Sequence, residues 1–110
     1  DQVRVTARLV ELHRAQAGCG GMTIASGAKY EVLSGPTWLL GTRINVYIPC
    51  VDTPRQMWRK DAGDVQQFVV GDTHVLTLTH SAEPGLDAPN QIPGDWFYVY
   101  SASMAGGARR

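Results

Sequence analysis

FVVGDTHVLTLTH, residues Phe68–His80, is the stretch on which the fold turns. Gly71-Asp72 reads as a turn. From Thr73 onward the chain alternates, with His74, Leu76, Leu78 and His80 on one side and Val75, Thr77 and Thr79 on the other. Period-two alternation rich in β-branched residues predicts a half-buried strand. Such a strand needs partners, and the sequence on both sides supplies them.

Upstream, Val3–Leu12 alternates Val3, Val5, Ala7 and Leu9 against Arg4, Thr6, Arg8 and Val10, and its length predicts a curved strand. Ala17–Gly21 (AGCGG) reads as a loop, because glycines weaken the interior of any element. Met22–Ile24 and Lys29–Leu33 read as one strand interrupted near Ser26-Gly27, where a glycine suggests a bulge or turn. Ser34-Gly35-Pro36 breaks the chain, and Thr37–Leu40 leads to Gly41. Arg43–Cys50 (RINVYIPC) then puts Ile44, Val46, Ile48 and Cys50 on one face and Arg43, Asn45 and Tyr47 on the other. Pro49 lacks a donor, so this strand ends there or runs along an edge. Asp52–Asp64 carries the helix signals: Asp52 or Thr53 as a cap, then Pro54 in the first turn. After Phe68–His80, Ser81–Gly94 reads as a loop, and Asp95–Ser103 (DWFYVYSAS) as the last strand. Its parity sets Trp96, Tyr98 and Tyr100 against Phe97 and Val99, and leaves open which set is core.

The predicted fold class is therefore all-β. Residues 1–103 form a single domain, 104–110 form a flexible tail, and one short helix lies between strands 3 and 4. This order, with the Gly41-x-x-Ile44-x-Val46 and Phe68-x-x-Gly71-Asp72 phrases, resembles the OB-fold, a five-stranded Greek-key barrel. The resemblance spans nearly the whole chain, rests on hydrophobic pattern and points to no named family within the fold.

Composition narrows the function. The chain has 110 residues, 44% hydrophobic and 18% charged, with Lys+Arg and Asp+Glu both at 10. Zero net charge speaks against nucleic acid, because phosphate binding normally leaves a basic excess. No apolar run approaches the ~20 residues of a membrane helix. Asp1 in place of a starting Met fits a mature product whose targeting segment has gone. The two cysteines, Cys19 and Cys50, are then expected to form one disulfide, and the compartment to be periplasmic or extracellular.

Four constellations carry possible chemistry. Cys19, Cys50 and a histidine suit zinc or a thiol nucleophile, yet no pair has ligand spacing. His74 is the histidine to watch, since it begins its strand as Cys50 ends another. Trp96, Tyr98 and Tyr100, with Tyr47, Tyr30 and the basic Arg4, Arg8 and Arg43, offer an aromatic face on which OB-like barrels stack single-stranded bases. Arg55–Lys60 (RQMWRK) reads as a solvated helix or small amphipathic binding element. No cofactor is expected, and Asp61, Asp64 and Asp72 lack a calcium-loop order. The expectation is a non-catalytic binding or structural module of an exported, periplasmic or surface-attached protein, taking protein, glycan or a small ligand. A single-strand nucleic-acid binder and a Cys/His metal or thiol site are the alternatives.

Overall fold

A computed structural model of the chain describes residues 2–14, 25–81 and 96–106. It contains five strands and one turn of helix: β1 (Gln2–His13), β2 (Ala25–Ser34), β3 (Arg43–Pro49), α1 (Arg55–Trp58), β4 (Thr73–Ser81) and β5 (Trp96–Met104). The strands close into a ring in the order β1-β2-β3-β5-β4, with β4 returning to β1.

The length of β1 closes the ring. Its first part pairs antiparallel with β4, from Gln2↔Thr79 to Arg8↔Thr73, and its later part with β2, from Thr6↔Ser34 to His13↔Gly27. One strand can serve two neighbours only by bending, and two register shifts mark where the β1–β2 ladder adjusts. Leu9 faces Tyr30 while Glu11 faces Lys29, so Val10 is an extra residue in β1. Thr6 faces Ser34 while Ala7 faces Val32, so Leu33 is an extra residue in β2. Both are β-bulges, which increase local twist. The predicted break at Ser26-Gly27 is absent. These residues lie inside continuous β2, with Gly27 facing His13 on one side and Tyr47 on the other. Met22–Ile24 of the predicted strand and the Ala17–Gly21 loop lie outside the described residues.

On the far side, β3 and β5 run parallel over three pairs, from Asn45↔Trp96 to Tyr47↔Tyr98. Beyond them the segment after α1 takes over the β5 edge: Ala102 N–H donates to Ala62 O, and Val65 N–H donates to Ala102 O. Gly63 makes this possible. Its φ is +98°, and a Cβ there would lie 2.0 Å from the Ala102 carbonyl oxygen.

The interior takes the predicted inward residues of each strand, among them Val5, Leu9, Val46, Ile48, Leu76 and Leu78. Full burial of each such side chain contributes about 1.5–3 kcal/mol. Phe97, Val99 and Ala102 are the core residues of β5, so Tyr98 and Tyr100 belong outside. Tyr30, read as a member of the outer aromatic face, is instead wholly buried in the core, sharing parity with Ala28 and Val32. β5 also runs through Met104, the first residue of the predicted tail.

The segment between β3 and β4 closes one end of the ring with Val51, Ala62, Val65 and Phe68, all buried. Its helix is a single turn. Pro54, rather than Asp52 or Thr53, stands at its N-cap, with no side-chain cap, and Arg59 is already extended. Without a side chain to satisfy the first N–H groups, little favours more turns.

Candidate functional site

Three buried polar side chains, Tyr30, His74 and Arg55, are linked through Phe68. His74 is the first inward residue of β4 and is wholly buried. Its Nδ1 lies 2.8 Å from the Tyr30 hydroxyl, which reaches it from β2. A neutral imidazole that accepts the Tyr30 O–H carries its proton on Nε2. The opposite tautomer would orphan both the hydroxyl hydrogen and a ring nitrogen, so the first arrangement is the cheaper one. Among the described residues Nε2 has no hydrogen-bond partner. Phe68 packs at right angles to the imidazole, with centroids 5.4 Å apart. Burial lowers the His74 pKa, against the opposing pull of Asp72 and Asp64, and burial raises that of Tyr30. The pair is held neutral.

Arg55 completes this cluster. Its side chain is 1% exposed. Nη2 donates to the carbonyls of Pro49 (2.9 Å), Cys50 (2.7 Å) and Thr53 (3.0 Å), and the guanidinium stands 5.3 Å from the Phe68 centroid. Burial, then neighbouring Arg59, pulls its pKa down to about 10, so it stays charged at neutral pH. Among the described residues it forms no ion pair. Its charge is spread over backbone carbonyls and an aromatic face. The end of β3 and the start of β4 are thus linked through Cys50 O, Arg55, Phe68 and His74. Sequence reading placed Arg55 on a solvated helix. The available signal was its place one turn after Cys50, beside a proline, in a segment too short to carry a polar face of its own.

The outer aromatic face does not form a ladder. Leu78 faces Val99 while Thr77 faces Ser101, so Tyr100 is a bulge residue. Its ring is turned to the loop after α1. Arg59 stacks on it at 4.0 Å and also bonds its carbonyl, while its hydroxyl donates to Asp61 Oδ2 at 2.8 Å. Arg59 Nε holds the other Asp61 oxygen at 2.7 Å. Arg59 and then Tyr100 lower the Asp61 pKa, and Asp61 raises that of Tyr100. Tyr47 points outward from β3 yet is wholly buried, 5.3 Å from the half-buried Tyr98 ring. Burial, then Tyr98, raises the Tyr47 pKa. The Trp96 side chain lies outside the described residues.

Arg8, Lys29 and Arg43 around this face are met by acids. Arg8, Glu31 and Arg43 form one cross-strand row, and Glu11, Lys29 and Asn45 the next. Arg8 pairs with Glu31 at 2.7 Å and lowers its pKa. His13 and Lys29 lower that of Glu11. Arg4 is exposed on β1.

Cys50 ends β3 buried, with a φ of +48°. Cys19 lies outside the described residues, and the described residues include no free cysteine. Among them no three His, Cys, Asp or Glu side chains gather as a metal site, and no helix is long and apolar enough to cross a membrane.

One surface feature escaped the sequence reading. In the β2–β3 connection Leu39 is buried, while Trp38 is 66% and Leu40 50% exposed. The turn is fixed from within: Leu39 and Leu40 N–H groups donate to Pro36 O, and Thr42 donates to Leu39 O through both N–H and hydroxyl. Val32 N–H donates to Thr42 O and Gly41 N–H to Val32 O, which bring the bulged and exposed Leu33 beside the same turn. No family model matches the chain, and no curated protein or solved structure matches it significantly.

Proposed function

We propose that the chain is an OB-like, non-catalytic binding module of an exported protein, and that its partner is a protein gripping the β2–β3 turn. The carrying observation is Trp38, held two-thirds exposed on a turn whose next residue is a buried anchor. A large apolar side chain on an ordered turn binds at low entropic cost, which is why tryptophan so often anchors protein interfaces. Leu33 and Leu40 extend the apolar surface around it. The OB-like reading is supported by the ring order, by β1 shared between β2 and β4, by the parallel β3–β5 contact and by the helical turn between β3 and β4. Export is supported by the state of Cys50, which is not a free thiol.

The nucleic-acid alternative is disfavoured by the outer face. Stacking needs open rings, but Tyr100 already carries Arg59 and Tyr47 is buried, while Arg8 is held by Glu31.

A photo-crosslinking amino acid placed at 38, compared with one at exposed Gln66, tests the proposal in cells that make the protein. A discrete protein adduct from 38 alone supports it. Equal adducts from both positions, none from 38, or tight binding of oligo-dT at low salt overturns it.

A further inference from the structure

We infer that His74 is an acid-sensitive latch: protonation of its imidazole releases the segment between β3 and β4 from the end of the ring while the five strands stay paired. The inference is independent of any partner at Trp38.

The geometry that carries it is the wedge at Phe68. This ring packs against both His74 and the Arg55 guanidinium, with centroid distances of 5.4 and 5.3 Å. A second cation on His74 would therefore share its Phe68 neighbour with Arg55, with both groups buried. It would also turn Nδ1 from acceptor to donor. The Tyr30 hydroxyl would then lose its acceptor, while Nε2–H would still lack one.

The surroundings do little to absorb the charge. From β2 comes only the neutral Tyr30 hydroxyl, and the register neighbours on β1 and β5 are Ala7 and Met104, neither of which titrates. Asp72, just before β4, and Asp64, after α1, favour the cation, but burial outweighs them. Asp64 is also engaged, accepting from Met104 N–H at 2.8 Å. Withdrawal of Phe68 admits water to the imidazole and removes Arg55 from its vicinity, so the opened form takes the proton more readily. Because the latched form has the lower His74 pKa, the segment is held fully above about pH 6.5, and its hold weakens as pH falls from there toward the latched value. Arg55 ties the segment to itself and to the end of β3. The segment meets the strands through backbone bonds at Leu9 and Ala102, and through the bonds of Arg59 and Asp61 to Tyr100 and of Asp64 to Met104. The stretch around Phe68, between Val65 and Gly71, carries none of these side-chain ties and is the part that can yield separately.

NMR of the isotopically labelled full chain, titrated from about pH 7.5 to about pH 4.5, tests this. The expected result is one midpoint shared by the His74 ring signals and the amides of Val65, Phe68 and Gly71, with Ala28 and Val46 unmoved. Protection of those loop amides against exchange should fall by up to about tenfold per pH unit below 6.5. Titration of His74 with no change in the loop, or melting of loop and strands together, overturns the inference. His74→Phe should abolish the acid response, and its persistence in that variant is equally fatal. If the variant does not fold, the wild-type titration decides alone.

Discussion

Gly63 and Gly71 both hold a left-handed backbone, at φ of +98° and +101°, but differ in what surrounds them. Around Gly71 a Cβ would meet nothing within 4 Å, whereas at Gly63 it would run into the Ala102 backbone. Gly71→Ala should thus cost only the left-handed strain, about 1 kcal/mol. Gly63→Ala must also push the loop off β5, and should cost about 3 kcal/mol or more. Urea unfolding of the two variants at pH 7.5 checks the ordering, and equal losses would refute it. Only the role of Gly71 could be read locally. Gly71 sits in a recognisable Gly-Asp turn, but the demand on Gly63 comes from Ala102, whose position only the ring order supplies. Tyr30 was hidden in the same way. Its neighbours Ala28 and Val32 share its inward parity, yet an aromatic hydroxyl earns an interior place only because His74 meets it from another strand.

Among the elements, β3 and β4 were legible because each alternates cleanly and neither carries a bulge on its own chain. The bulges at Val10, Leu33 and Tyr100 were not, since each arises from how two strands share a register and none involves a glycine. This is why Tyr100 leaves the row expected at Trp96, Tyr98 and Tyr100: a single extra residue re-aims it toward Arg59 and Asp61. The short helix between β3 and β4 was legible as well, but its cap was not: neither Asp52 nor Thr53 stands at the N-cap. The β2–β3 turn offers an element-level test of the proposed interface. Leu39→Ala removes its buried anchor, and a buried leucine truncated at a site that can collapse costs about 2–3 kcal/mol. Trp38 should become more mobile, with lower fluorescence anisotropy and faster amide exchange confined to residues 36–42. The crosslink from position 38 should weaken with it. Anisotropy unchanged from wild type would mean that Leu39 does not hold the turn.

For the molecule as a whole, the balance of charge in the sequence is matched on the surface by the alternating rows Arg8-Glu31-Arg43 and Glu11-Lys29. All-β character was readable from periodicity alone, while the chemistry of the buried cluster depended on contacts between residues forty-four positions apart, such as Tyr30 and His74. The cysteines give a global test. A Cys19–Cys50 bridge would leave the unreduced, denatured protein with no thiol to alkylate, and its reduction should lower stability by roughly 2–4 kcal/mol. Two alkylated thiols on unreduced protein would sink the bridge and weaken the case for export. The parallel contact of β3 with β5 also has a bearing on synthesis. β1, β2 and β3 are consecutive and can pair as soon as they are made, but the ring seals only when β5 inserts between β3 and β4. Until then the nascent chain carries bare strand edges on β3 and β4, open to pairing with a neighbour. Its most hazardous moment is the interval in which β4 is complete and β5 is not yet in place.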